Sequence, residues 1–219
     1  MDTSTPRALV LDFDGTLTQV DVGDALCDRF AEPGWKELGQ RYARGELSLP
    51  AAQEQMWRLF RASSPDAQAY AREVGLLRPG ADALLEAAGW TLHLGSGGFH
   101  FYIEAILGAA RLGRFHAVHT NALDWDGERV VPRFNADGLA CHRCAVCKGK
   151  LCARLRAAGA GRVVFVGDGH SDICVLDQPF VEVFALAGGA LHRAALARGV
   201  RVHAWTDLSE VVKALQDSL

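Results

Sequence analysis

No stretch of this 219-residue chain stays apolar for the ~20 residues that a membrane span requires. Nor is there a surplus of positive charge. The 23 Lys and Arg stand against 26 Asp and Glu, a formal net charge of -3. That balance gives no argument for a nucleic-acid or anionic-membrane partner. The opening residues, Met1-Asp2-Thr3-Ser4-Thr5-Pro6-Arg7, lack the basic start and apolar core of a secretory leader. The reading is a cytoplasmic protein. Internal repeats and low-complexity segments are missing too. What is left is an ordinary globular composition, 49% hydrophobic and 22% charged, at a length suited to one sizeable domain with or without a smaller insert.

Against that background one stretch stands out. Ala8-Leu9-Val10-Leu11 runs straight into Asp12-Phe13-Asp14-Gly15-Thr16. A short apolar run ended by a glycine reads as a buried, parallel strand. Residues two apart on a strand point the same way, so Asp12 and Asp14 would share one side of its end. Two such carboxylates repel unless a cation or a shared proton relieves them. Gly15 lets the backbone turn away.

Residues 21–77 carry no strand signal. Trp35, Leu38 and Tyr42 recur at helical spacing, as do Ala52, Met56, Leu59 and Phe60. Pro33, Pro50 and Pro65 fall where first helical turns would begin, with Ser48 and Ser64 as candidate N-caps. We read 21–77 as a small helical cap inserted after the first strand, and 1–20 with 78–219 as the main domain. After Pro79-Gly80, strands alternate with helices: strand 90–94, helix 99–112, strand 116–120, a hairpin about Asp126-Gly127, helix 148–158, strand 162–166, strand 181–184, helix 190–198, strand 200–203 and a final helix bearing Leu208, Val211, Val212 and Leu215. Such alternation predicts an α/β fold, a Rossmann-like parallel sheet with helices on both faces.

In an open α/β sheet the site lies beyond the carboxyl ends of the strands. Three predicted strands end in polar, Gly-rich turns: Asp12/Asp14, Ser96-Gly97-Gly98, and Gly167-Asp168-Gly169 with Asp172. Lys148 or Lys150 opens a helix between the last two, and the spacing leaves both in play, with Lys148 favoured. If the strands are neighbours, carboxylates, a hydroxyl, backbone N–H groups and an ammonium converge. An all-oxygen carboxylate site suits Mg²⁺. Ser96, the N–H groups after it and the lysine suit phosphate oxygens.

These four motifs, in this order, resemble those of the haloacid dehalogenase superfamily of phosphatases. The helical insert, Ser96-Gly97-Gly98-Phe99 and Asn121-Ala122-Leu123 are similar to its phosphoserine phosphatase branch. Cys147-Lys148 and Gly167-Asp168-Gly169-x-x-Asp172-Ile173-Cys174 resemble two further types, the methionine-salvage hydroxyketo-methylthiopentenyl-phosphate phosphatases and the phosphoethanolamine/phosphocholine phosphatases. The resemblance implies a Mg²⁺-dependent phosphomonoesterase for a small phosphorylated metabolite. Asp12 would be the nucleophile and form an aspartyl-phosphate. Asp14 would be acid and then base. Asp12, the Asp14 carbonyl and Asp168 would hold Mg²⁺, while Ser96, Gly97 and Lys148 would bind the phosphoryl oxygens. Asp172 would orient the lysine or a metal-bound water. Asp21 stands where the phosphoserine branch holds its substrate's amino group with a glutamate, and it is equally a candidate cap of the first helix. Alternatives are a phosphotransferase passing the group to an alcohol and a non-enzymatic protein with a zinc-held interaction surface.

Six cysteines are present, and in a cytosolic chain they are expected as thiols. Cys141, Cys144, Cys147 and Cys152 have metal-ligand spacing, so a structural Zn²⁺ is one reading and reduced thiols packing the loop the other. Cys27 and Cys174 read as small buried apolar residues.

Overall fold

The computed structural model describes residues 6–135 and 137–217. The strands are β1 (Arg7–Leu11), β2 (Thr91–Phe99), β3 (Ala117–Asp126), β4 (Arg129–Arg133), β5 (Arg162–Gly167), β6 (Val181–Leu186) and β7 (His203–Trp205). They form one sheet in the order β4-β3-β2-β1-β5-β6-β7. Among the described residues of this sheet only the β3–β4 pair is antiparallel. The predicted α/β class is therefore the observed one.

The apolar run of β1 explains its central place. Leu9 and Leu11 belong to one core layer and Ala8 and Val10 to the other, as strand alternation requires. Each large side chain so buried contributes about 1.5–3 kcal/mol. A charged residue at Val10 would face Phe165 and Leu151 in the second layer and break it. The helices α5 (Ala81–Leu85), α6 (His100–Leu112) and α9 (Leu208–Gln216) supply side chains to the first layer. Those of α7 (Lys148–Ala157) and α8 (Ala190–Arg198) complete the second.

Leu11 pairs with Leu94 on one side and Val166 on the other, so the residues after these three lie level. That register brings Asp12, Ser96 and Asp168 to one rim. Between β1 and β2 lie α1 (Val22–Phe30), α2 (Trp35–Ala43), α3 (Leu49–Arg58) and α4 (Ser64–Val74). The segments entering and leaving these helices run side by side: Gln19 N–H donates to Leu76 O at 2.9 Å and Arg78 N–H to Leu17 O at 2.8 Å. Aromatic contacts join the helices to the sheet. Trp57 meets Phe99 with ring centroids 4.8 Å apart, and Trp125 Nε1–H donates to Ala62 O at 3.1 Å.

Several boundaries differ from the sequence reading. β2 runs past Leu94 to Phe99, with a register shift between Gly95 and Phe99 that absorbs the Gly-Ser-Gly-Gly run. β3 is one ten-residue strand that merges the expected strand with the first arm of the hairpin. The N-cap of α4 is Ser63, not Ser64, and its Oγ accepts from Asp66 N–H at 3.3 Å. Pro50 and Pro65 sit in first turns, whereas Pro33 precedes the Gly34 N-cap of α2. A 3-10 helix over His170–Asp177 had no signal in hydrophobic spacing.

Candidate active site

Asp12 follows β1 directly and is 4% exposed. Its Oδ1 lies 3.1 Å from the ammonium of Lys148, the first residue of α7, which is wholly buried. Lys148 Nζ also lies 3.0 Å from Asp172 Oδ1 and donates to Ser171 Oγ at 2.7 Å. Burial opposes the lysine's charge, but Asp12 and Asp172 outweigh it and hold its pKa well above the ordinary value. Lys150 points elsewhere, donating to the Ala140 carbonyl at 2.5 Å. Two residues, about 200° around the helix, separate the two roles.

Asp172 is saturated by donors. Besides Lys148 and Ser171 it accepts the backbone N–H groups of Asp168 at 3.0 Å and Gly169 at 2.9 Å. It thus ties the 3-10 helix to the end of β5. Asp168 accepts from Thr16 Oγ1 at 2.9 Å. Burial first, and then the charge of Asp172, push its carboxyl up to about 7. Burial and the same neighbour raise Asp12 well above the usual carboxylate range, with Lys148 opposing. The carboxylate oxygens of Asp12, Asp168 and Asp172 lie within 4.8 Å of one another. Hard oxygen donors this close, with the negative forms of Asp12 and Asp168 disfavoured, fit a divalent cation such as Mg²⁺. Since Asp172 is already taken up by four donors, Asp12 and Asp168 are the carboxylates open to it.

Asp14 has a different setting. Its Oδ2 accepts from the Tyr102 hydroxyl at 2.6 Å and its Oδ1 from Val22 N–H at 3.0 Å. Burial, then the charge of Asp21, raise its pKa well above the usual range against those two hydrogen bonds. A carboxyl whose neutral form is favoured in this way suits a general acid. Gly98 makes room for the contact, because a Cβ there would lie 1.7 Å from the Tyr102 oxygen and 2.6 Å from Asp14 Oδ2. Ser96 is 1% exposed and its Oγ accepts from Gly98 N–H at 2.9 Å. The Gly97 carbonyl is held by Asn121 Nδ2 at 2.7 Å and by Gln53 Nε2, from α3, at 2.9 Å.

Asp12, Asp14, Ser96, Gly97, Tyr102 and Asp168 line a cleft of about 710 Å³ between the sheet rim and α1–α3. Trp35, Met56 and Trp57 give it an apolar side, and Asp21, Asp24 and Asp28 an acidic one. Asp21 both lines the cleft and caps α1, its Oδ1 accepting Asp24 N–H at 2.8 Å. Of the residues on α2 and α3, Trp35 and Trp57 face the cleft. Arg41, Arg44 and Arg58 instead pair with glutamates on the surface. His170 and Arg193 reach it from the opposite wall.

The cysteine reading needs correcting. Cys152 is not with the other three. It packs, wholly buried, among Val146, Leu151 and the second core layer. It lies inside α7, whereas Cys147 is the extended N-cap of that helix. Cys174, on the 3-10 helix, takes the fourth place beside Cys141, Cys144 and Cys147, and it is only partly buried.

Sequence reasoning missed Tyr102, Gln53 and Ser171 as neighbours of the site. Tyr102 sits on an apolar helix, where one hydroxyl does not reveal its direction. Ser171 carried a faint signal, lying beside Asp172 in the last motif.

The pattern of the haloacid dehalogenase-like hydrolases matches residues 9–177. The chain belongs to that family, and it is a phosphatase-type hydrolase within it. Among curated proteins it is similar to 2-hydroxy-3-keto-5-methylthiopentenyl-1-phosphate phosphatase of Exiguobacterium sibiricum, 29% identical over 177 residues, covering 78% of this chain and 80% of that one. The protein of the same name from Exiguobacterium sp. is 28% identical over 199 residues, covering 88% and 89%. A solved structure of a phospho-aspartyl intermediate analogue of phosphoserine phosphatase superposes with a TM-score of 0.72 at 18% identity, covering 96% of this chain and 99% of that one. The last likeness concerns the fold. Among the described residues no helix is long and apolar enough to cross a membrane.

Proposed function

We propose that this chain is a Mg²⁺-dependent phosphomonoesterase that cleaves a small phosphorylated metabolite through phosphorylated Asp12. The observation that carries the reading is the convergence of Asp12, Asp14, Ser96, Lys148 and Asp168 at the carboxyl side of the adjacent strands β2, β1 and β5. Lys148 and Ser96, with the N–H groups near Gly97, would bind the phosphoryl oxygens. Asp12 would attack phosphorus while Asp14, protonated, gives its proton to the departing alcohol. Asp14 then takes a proton from the water that frees Asp12. Asp12, the Asp14 carbonyl and Asp168 would hold Mg²⁺. When bound, the ion neutralises charge on the phosphoryl group. Residues 21–77 act as a cap that shields the floor from bulk water and reads the leaving group.

Hydrolysis of p-nitrophenyl phosphate with and without Mg²⁺, then of a panel of phosphorylated metabolites, tests this. The relatives' substrate and phosphoserine belong in the panel. The apolar wall of Trp35, Met56 and Trp57 favours a leaving group with an apolar tail. The acidic wall of Asp21, Asp24 and Asp28 favours a second reading, a cationic alcohol such as that of phosphoethanolamine or phosphocholine. Release of free phosphate that falls when alcohols are added, with no loss of substrate cleavage, would instead indicate phosphotransfer.

Asp14→Asn should impair turnover of every substrate, because the water that frees Asp12 loses its base, and kcat/KM should fall further for alkyl phosphates than for aryl ones, by up to about 10²–10⁴-fold, because a poor leaving group needs the proton most. Equal losses would remove Asp14 from the acid role. Asp21→Asn keeps a good N-cap for α1 and deletes the charge. It should raise KM for a cationic substrate and leave p-nitrophenyl phosphate nearly unchanged. Equal effects on both would confine Asp21 to the fold.

The raised carboxyls predict a pH effect on metal binding. Below about pH 7 a proton occupies Asp168 and must leave before a cation binds. Apparent Mg²⁺ affinity should therefore fall by up to about tenfold per pH unit from about pH 7 downward. Proton release on binding, read by calorimetry in buffers of different ionisation heat, should grow over the same range. A flat profile would contradict the assignment of Asp168 as a ligand.

A further inference from the structure

The cysteines are unused by the chemistry above, yet four of them are gathered at one point. The Sγ atoms of Cys141, Cys144, Cys147 and Cys174 lie within 4.8 Å of one another, with Cys144 and Cys174 at 3.9 Å. Thiolates on a tetrahedral Zn²⁺, with Zn–S near 2.3 Å, sit about 3.8 Å apart. The set therefore approaches the size of a four-sulfur cage without a rearrangement of the backbone. Three ligands come from one loop at the C-x-x-C-x-x-C spacing and the fourth from a separate element, a common construction for closed zinc sites. The loop is built to receive them. Cys141 N–H donates to Cys144 O at 2.8 Å, which folds the first pair back on itself. Backbone N–H groups of Arg143 and Lys150 are directed at the sulfurs of Cys141 and Cys147, the first at 3.4 Å. Such N–H···S bonds orient and stabilise metal-bound thiolates. Cys144 and Cys147 are buried, while Cys141 and Cys174 are partly exposed and leave a path of entry.

We propose that Cys141, Cys144, Cys147 and Cys174 form a tetrathiolate Zn²⁺ site that fastens the start of α7 to the 3-10 helix. The site is structural, since all four positions are protein sulfurs and none is open to substrate. Its placement gives it a purpose. Cys147 adjoins Lys148, and Cys174 lies two residues beyond Asp172, so the clasp closes around the Lys148–Asp172–Ser171 contacts. Cys144 also lies 3.7 Å from the Ser171 carbonyl. Binding would displace the thiol protons to solvent, with no change in oxidation state.

The inference is independent of the phosphatase reading, because its test needs no turnover. The protein is purified without chelators and its zinc measured by elemental analysis. The expectation is about one zinc per chain in the wild type and in Cys152→Ala, and a loss of most of it in Cys174→Ser. Exchange of the wild-type metal for Co²⁺ should give strong sulfur-to-cobalt charge-transfer bands and the intense visible bands of a tetrahedral ion. That readout stands even if Cys174→Ser fails to fold. Zinc-free protein whose thiols give no cobalt bands would overturn the proposal. So would a Cys144–Cys174 disulfide found in freshly isolated protein by mass spectrometry. Zinc retained by Cys174→Ser but lost from Cys152→Ala would overturn it as well.

Discussion

Asp12→Asn should abolish turnover, by on the order of 10⁴-fold or more, the scale seen when other covalent hydrolases lose their nucleophile. The amide oxygen cannot attack phosphorus, and one anionic ligand is gone from the Asp12–Asp168 pair. The fold should be unharmed. Asp12 is buried beside Asp172 and Asp168, and its charge is resisted by burial and by those neighbours. A neutral amide of the same shape relieves that resistance, while Lys148 keeps Asp172 and Ser171. The thermal midpoint should thus hold or rise. Steady-state rates and a melting curve check both halves. Activity within tenfold of wild type would end the nucleophile assignment.

Lys148→Met should fail in both respects. The side chain is wholly buried between two carboxylates, and methionine replaces its length without its charge. Breaking a buried pair by removing one partner costs about 3–5 kcal/mol, because the other charge remains uncompensated. For a chain of this length that is a drop in Tm of roughly 6–20 °C. The loss should be larger near pH 8 than near pH 5, where Asp12, its pKa raised by burial, can take up a proton in place of the ammonium. Asp12→Asn in the Lys148→Met background should restore part of the stability but none of the activity, since the two side chains share one network. Lys150→Met should leave activity within a few-fold, as its ammonium meets only the Ala140 carbonyl. A reversal between the two lysines would show that α7 is turned differently in the working enzyme.

The sheet's centre was legible because its signal is local. Ala8 to Leu11 must be buried on both faces, and a run of that kind ending in two aspartates marks the rim where a parallel sheet keeps its site. The lysine was legible as a pair, and only helix phase separates Lys148 from Lys150. The cysteines show where reading along the chain stops. Cys152 is near its partners in sequence and turned away by the helix, whereas Cys174 is far in sequence and brought back by the 3-10 helix. Tyr102 was hidden for a similar reason. Its approach to Asp14 depends on the missing Cβ of Gly98, a contact that hydrophobic spacing does not encode.

The central claim is that the phosphoryl group passes through Asp12. The most direct measurement is a rapid acid quench of the enzyme during turnover of a phosphate-labelled substrate, followed by proteolysis and mass spectrometry of the peptide containing Asp12-Phe13-Asp14. The account predicts that this peptide carries the mass of one phosphoryl group, that hydroxylamine removes it as from an acyl phosphate, and that Asp12→Asn never acquires it. Continued turnover with that peptide unlabelled at every quench time, or with the label on another residue, would contradict it.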